Sequence, residues 1–149
     1  MLAFCLAALL AQEDKDLAEV RTALAAWHDD AWTRVFAPDA ELVLRLFGAV
    51  NDAQGRGELV SVSVAHSGRD AVKAALAELY RDQDPKVSFD AAARSGTEAL
   101  LHGEVSVTGP DGLRLSYPLF VKVRFDDTRR IRQMTLTAAH ARAGPAPAK

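Results

Sequence analysis

The second half of the chain is dominated by segments in which apolar and polar residues alternate, and this pattern constrains the fold most. In the segment LRLSYPLFVKVRF (113–125), one face carries Leu115, Tyr117, Leu119, Val121, Val123 and Phe125. A period of two indicates a β-strand with one buried face. The runs 86–95, 99–108 and 129–138 also predict strands, and turn sequences such as Gly109-Pro110-Asp111-Gly112 separate them. We therefore expect an antiparallel sheet with one strongly apolar face and one mixed face.

The first half of the chain predicts the helices that would cover the apolar face. Apolar residues recur at spacings of three and four in one stripe: Leu17, Val20, Leu24, Trp27 and Ala31. Pro38 predicts a break, a buried strand is expected over 41–48, and a glycine-rich turn over 51–57 leads to a strand over 58–66. A second amphipathic helix is expected over 69–83. Helices followed by a long antiparallel sheet predict an α+β fold.

Composition narrows the classes of protein and site. The chain has 149 residues, of which 49% are hydrophobic and 26% charged, which is typical of one globular domain. A net charge of -2 does not favour a nucleic-acid partner. Cys5 is the single cysteine, so we expect neither an intrachain disulfide nor a thiolate metal site, and no motif predicts a metal or a cofactor.

The two ends of the chain differ from the part between them. Residues 2–11 (LAFCLAALLA) are an apolar run too short to span a membrane but typical of the core of a signal peptide. No Lys or Arg precedes the run, and Leu9 is bulky for a position near a cleavage site. This apolar run is equally consistent with a leader over 1–12 of an exported protein and with an apolar lead-in of a cytoplasmic protein. We expect the globular domain over 13–140 and a disordered tail over 141–149.

Two segments carry a resemblance to a known family. FAPDAEL (36–42) resembles the passage from the helical layer to the first strand in the NTF2-like (nuclear transport factor 2-like, SnoaL-like) superfamily. VRFDDTRRIRQM (123–134) is similar to the hairpin before that family's last strand. The resemblance covers about residues 14–139 and implies a cone: N-terminal helices packed on a strongly curved, mostly antiparallel sheet. It also implies a pocket at the open end and a homodimer formed through the sheet.

The resemblance does not by itself imply a reaction, because this fold hosts many. The positions matching the acidic residues of ketosteroid isomerases are Leu44 and Val121, which cannot carry a proton. The Asp–Arg–Asp group of limonene-epoxide-hydrolase-type members is also disfavoured, because alternation predicts that Asp90 and Arg94 point away from the pocket. The predicted lining of the cone is almost free of titratable groups: Trp27, Leu44, Leu46, Tyr117, Leu119, Val121, Met134 and Leu136.

Two polar groups are weak candidates for catalysis. Tyr117 is the one polar-tipped residue on the apolar face of its strand, so its hydroxyl is either a donor to a substrate oxygen or part of the core. His102 and Glu104 share one face of a strand, as a base with a carboxylate or as an exposed polar pair.

Three hypotheses for the function follow. The first is a module that binds a small apolar molecule in the cone. The second is an isomerase, cyclase or lyase in which Tyr117 works with a histidine such as His28, His66 or His102. The third is a filled cone that serves only as a dimeric interaction module, with Phe120 on the contacting face.

Overall fold

The protein is an α+β fold in which helices pack on one face of a curved, six-stranded sheet. The computed structural model describes residues 14–26, 32–51, 54–55, 57–109 and 111–139. The strands are β1 (Phe36–Asn51), β2 (Gly57–Ser67), β3 (Lys86–Ser95), β4 (Glu98–Thr108), β5 (Arg114–Phe125) and β6 (Ile131–Ala139). Their order across the sheet is β2-β1-β6-β5-β4-β3. Only β1 and β6 pair in parallel, so the sheet is mostly antiparallel, and the predicted fold class is confirmed.

The helices of the described chain are α1 (Lys15–Ala25), the short α2 (Trp32–Val35) and α3 (Arg69–Leu79). Asp14 caps α1, because its carboxylate accepts hydrogen bonds from the backbone N–H groups of Asp16 and Leu17. Helix α3 ends four residues before the predicted position 83. Two turn bonds follow it, and the backbone N–H of Thr108 then donates to the carbonyl of Gln83. The segment after α3 is therefore tied to the end of β4 instead of continuing the helix.

The core lies between the helices and the apolar face of the sheet, which we call the helix-facing face. Apolar residues of α1 and α3 pack there on buried residues of the strands. The positions of β4, β5 and β6 that were predicted to be apolar are buried, except at the start of β5. There Leu115 is exposed and Tyr117 is half-buried. We call the opposite side of the sheet the outer face.

Strand β1 is longer than the sequence predicted. It begins at Phe36 instead of residue 41, and its pairing with β2 continues to Asn51 opposite Gly57. Pro38 does not end a helical layer but lies where the register with β6 shifts, between Phe36 and Glu41. A proline lacks an N–H group to donate to a ladder, and such irregular positions are where strands accommodate it.

Strand β2 is an edge of the sheet and is exposed on both faces. Val62 and Val64 lie opposite Leu46 and Leu44 and so share their helix-facing side. They are nevertheless 51% and 41% exposed.

A β-bulge in β3 changes which side chains face the helices. Phe89 lies opposite Gly103 and Ala91 opposite His102, so Asp90 is an extra residue in β3. One extra residue inverts the alternation of the strand beyond it. Asp90 lies on the outer face, as predicted, but the prediction for Arg94 is wrong, since Arg94 faces α1 and binds Asp14.

Candidate functional site

The residues predicted to line the cone form the floor of the core. Leu44, Leu119, Val121, Met134 and Leu136 are at most 5% exposed and belong to one buried cluster. Leu46 and Tyr117 pack against the edge of this cluster and are only partly buried. Trp27 lies outside the described residues.

The two tyrosines of the chain bring polar groups into this apolar interior. Tyr117, on β5, lies opposite Val105, and Tyr80, directly after α3, is 2% exposed. Burial raises the pKa of the Tyr80 phenol strongly, and the neighbouring Tyr117 raises it further. The Tyr80 phenol therefore stays protonated at neutral pH, so it can donate a hydrogen bond but cannot act as a base.

Apart from tyrosine, the buried residues of the described chain are apolar. Tyr80 directly follows α3, and the sequence held no signal that it would neighbour Tyr117. The hydroxyls of Tyr80 and Tyr117 thus belong to one end of the interior. In such apolar surroundings, water weakens a hydrogen bond to a ligand oxygen less than it does on the open surface.

A groove of about 630 Å³ lies on the outer face of the sheet. One row of residues in direct register crosses it from β1 to β3: Arg45, Thr137, Phe120, His102 and Ala91. Leu100, Lys122, Arg124, Gln133 and Thr135 are among its other lining residues. Phe120 and Leu100 are 50% and 58% exposed there, so the groove combines apolar surface with polar and basic groups.

His102 has a carboxylate partner, but not the predicted one. Its Nδ1 lies 2.7 Å from Oδ1 of Asp90, the extra residue of the β3 bulge. Glu104 lies opposite Ser88 and Pro118, and no hydrogen bond or ion pair joins it to His102 in the described chain. The alternation of β3 gave no sign of the bulge, which is why the Asp90–His102 pair could not be predicted.

The basic residues of the groove differ in their pairing. Lys122 and Arg124 both bind Glu98, at 3.3 Å and 3.0 Å. Hydrogen bonds from Arg124 and Lys122, together with their positive charges, lower the pKa of Glu98. Arg45 makes no hydrogen bond or ion pair within the part of the chain that the structure describes.

A separate cluster fixes the start of α1. Nη1 of Arg94 is 2.9 Å from both carboxylate oxygens of Asp14 and 2.8 Å from Oδ2 of Asp16. The guanidinium also lies over the Phe125 ring, 4.7 Å from its centroid. Burial opposes ionisation of Asp14, but hydrogen bonds from Leu17, Arg94 and Asp16 outweigh it and lower the pKa. This cluster joins α1 to β3 and contains no group exposed to the groove.

Neither candidate site contains an evident metal centre. Among residues 14–26, 32–51, 54–55, 57–109 and 111–139, no three His, Cys, Asp or Glu side chains are arranged to hold a metal ion. None of the described helices has the length and apolar character that a membrane crossing requires.

Comparisons of sequence and of structure give different results. No protein-family model matches the chain, and no curated protein matches it in sequence. Solved structures do match. A hypothetical protein with a ketosteroid isomerase-like fold from Catenulispora acidiphila, in complex with trimethylamine, aligns with a TM-score of 0.61 at 14% identity. That alignment covers 84% of this chain and 85% of the other.

Two further solved structures have similar scores. A SnoaL-like polyketide cyclase, so described, from Jannaschia sp. aligns with a TM-score of 0.59 at 14% identity, covering 86% of this chain and 91% of that one. TerC, co-crystallised with polyporic acid, aligns with a TM-score of 0.60 at 13% identity, covering 82% and 87%. At these identities the likeness concerns the fold alone.

Proposed function

Since this chain has the NTF2-like fold, we propose that it binds a small apolar molecule between the helices and the helix-facing face of the sheet. The observation that carries the proposal is that two phenols, Tyr80 and Tyr117, belong to or pack against one otherwise apolar cluster. Small-molecule sites are usually apolar with a few polar groups, and this region has that composition.

The partial burial of Tyr117 and Leu46 supports this position for the site. A ligand held there would rest on Leu119 and Val121 and place an oxygen near the two phenols. Because both hydroxyls can donate hydrogen bonds, the preferred ligand is an apolar molecule with at least one carbonyl or hydroxyl oxygen. We propose Trp27, Leu44, Met134 and Leu136 as the remaining lining.

Two of the similar structures support small-molecule binding on this fold. TerC was crystallised with polyporic acid, and the protein from Catenulispora acidiphila with trimethylamine. Both are properties of those proteins. They support the proposal that an NTF2-like chain with an apolar interior accommodates a ligand.

A polyketide-cyclase-like isomerase, cyclase or lyase is the second candidate, and the Jannaschia protein favours it. An enzyme of this kind would need a base near Tyr117. His102 lies on the outer face, and His66 lies opposite Leu42 on β1, three strands away from β5. At about 4.8 Å per strand this places His66 more than about 14 Å from Tyr117. Neither of these two histidines therefore serves Tyr117, and His28 lies outside the described residues, so within the described chain the geometry supports binding without proton transfer.

The test is a titration of the purified protein with a neutral naphthoquinone, followed by quenching of tryptophan fluorescence. Tyr117→Phe removes one hydroxyl and keeps the ring, so we expect the affinity to fall about tenfold, the worth of one hydrogen bond of about 1.4 kcal/mol. Phe120→Leu, on the outer face, is the matched control and should leave the affinity unchanged. An affinity that falls in Phe120→Leu and not in Tyr117→Phe would refute the interior site.

A homodimer formed through the outer face stays a prediction. Phe120 and Leu100 are large exposed apolar side chains on that face, which often mark interaction surfaces, and a second copy there would compete with the small-molecule site proposed below.

A further inference from the structure

We propose that the outer-face groove is a second ligand site, which takes a planar aromatic carboxylate bearing a hydroxyl group. The proposal is independent of the interior site, because the side chains involved lie on opposite faces of the sheet. The volume of the outer-face groove, about 630 Å³, is within the range of small-molecule sites, roughly 300–1,000 Å³.

The Asp90–His102 pair defines the hydrogen-bonding character of one end of the groove. An ionised carboxylate can only accept hydrogen bonds, so the 2.7 Å contact with Asp90 places a proton on Nδ1 of His102. In a neutral ring Nε2 is then the acceptor that His102 offers to a ligand. A phenolic hydroxyl group is a matching donor. Asp90 is a positioning residue, since it acts on the ligand only through the orientation and tautomer of the imidazole.

Phe120 provides an aromatic surface beside this acceptor. Its ring centroid is 4.8 Å from that of His102, with the planes tilted by 52°. Half of the Phe120 side chain is exposed, although it lies in the middle of the sheet between His102 and Thr137. An aromatic ring bound beside it would gain the offset or edge-to-face contact that such rings prefer.

The other end of the groove is basic. Arg45 lies in the same row as Phe120, two strands away, at a Cα separation of about 10 Å. Lys122 and Arg124 share the single carboxylate of Glu98, and Arg45 has no counter-ion in the described chain. Lys122 and Arg124 lie on β5, the strand of Phe120, so Arg45 is the cation at the β1 end of the row. A guanidinium binds a carboxylate in a two-pronged geometry, so a carboxylate fits this end of the groove.

The same charges make a second copy of the chain a poorer occupant than a small anion. Charged residues are depleted at the centres of protein–protein interfaces. A two-fold copy stacked on this face would bring the same basic groups together and bury Arg45 without a counter-ion, at a high desolvation cost.

The test uses 4-hydroxybenzoate as the probe and follows backbone amide chemical shifts in solution during a titration. We expect the perturbed amides to lie along the row from Arg45 to His102. Arg45→Gln removes a charge and Phe120→Leu removes an aromatic face, both at exposed positions, and each should weaken binding about tenfold or more. Arg132→Gln is the matched control: it removes an exposed charge outside the groove and should leave the affinity unchanged.

A further variant tests the role of Asp90. Asp90→Asn should shift the imidazole ¹⁵N resonances of His102 as the tautomer changes, and should weaken binding of the probe. Unchanged imidazole resonances would show that Asp90 does not set the tautomer.

Three outcomes would overturn the site. The first is that the perturbed amides all lie in the helix-facing interior. The second is that Arg45→Gln and Arg132→Gln weaken binding of 4-hydroxybenzoate equally. The third is the absence of binding at about 10 mM, beyond the millimolar range of weak small-ligand affinities. If the protein is then a dimer that Phe120→Glu converts to monomers, a second copy occupies the groove instead.

Discussion

Replacing Gly103 with alanine tests the structural basis of the outer-face groove and of the Arg94 cluster, because Gly103 lies opposite the β3 bulge. A Cβ atom at this position would overlap the backbone carbonyl oxygen of Ser88 and lie 2.9 Å from both Cα and Cδ1 of Phe89. The first of these neighbours is backbone, so it cannot rotate away. Strand β3 must shift, and the bulge that orients Asp90 and Arg94 shifts with it.

The expected loss of stability is the sum of two costs, reduced by one smaller gain. Overfilling a packed site typically costs about 1–3 kcal/mol, and displacement of Arg94 from Asp14 and Asp16 adds about 1–2 kcal/mol for half-exposed charged hydrogen bonds. Alanine offsets up to about 1 kcal/mol by restricting the unfolded chain. The free energy of unfolding should therefore fall by about 1–5 kcal/mol, which lowers the melting temperature by roughly 3–15 °C for a chain of this size.

Urea unfolding followed by circular dichroism measures this loss. Gly109→Ala is the matched control, because the closest neighbour of its Cβ would be the Asp111 carboxylate, the end of a side chain that can move. We expect that variant to lose less than about 1 kcal/mol. If Gly103→Ala were as stable as Gly109→Ala, the close approach of β3 to β4 would not be a constraint on the fold, and the reasoning would be refuted.

Three other perturbations have defined outcomes. Tyr80→Phe should flatten the loss of stability at alkaline pH. The pKa of Tyr80 is raised in the fold, so its contribution is complete below about pH 10 and then falls by about 1.4 kcal/mol per pH unit. Urea titrations between about pH 9 and 11 measure this slope, and equal slopes in the two proteins would contradict the burial of the phenol. Arg94→Met keeps the length of the side chain but removes the bonds to Asp14 and Asp16, so it should cost about 1–2 kcal/mol by urea unfolding. Because the pKa of Asp14 is lowered in the fold, this cost should shrink as the pH falls below the ordinary range of an aspartate; a cost independent of pH would speak against the ion pairs. Phe120→Glu distinguishes the two occupants of the outer face: with a small anion in the groove, light scattering should give the same molar mass for the variant and the unmodified protein, and conversion of a dimer to monomers would place a second copy there instead.

The alternation of residues was sufficient to predict the sheet, and the reason is physical. In β4, β5 and β6, side chains of one parity are excluded from water by the helices, so burial acts at every second position. Val121, Met134 and Leu136 could be placed in the interior on this basis. The resemblance of 36–42 and 123–134 to the NTF2-like superfamily added the order of the elements.

Features that depend on contacts between distant segments could not be predicted. The bulge at Asp90 arises where β3 meets Gly103 of β4, and the alternation within β3 carries no trace of it. Two errors followed from that one residue: the orientation of Arg94 and the choice of Glu104 as the partner of His102. The early start of β1 was missed because Pro38 disfavours a regular strand, whereas its pairing with β6 is irregular there.

Chemical-shift mapping of the isotopically labelled protein during titration with a neutral naphthoquinone would show whether an apolar ligand binds in the interior. We expect the perturbed amides to cluster around Tyr80, Tyr117 and Leu119, on the helix-facing side of the sheet. Perturbation of Phe120, Lys122 and Thr137 instead, or of no residue at saturating ligand, would contradict that expectation.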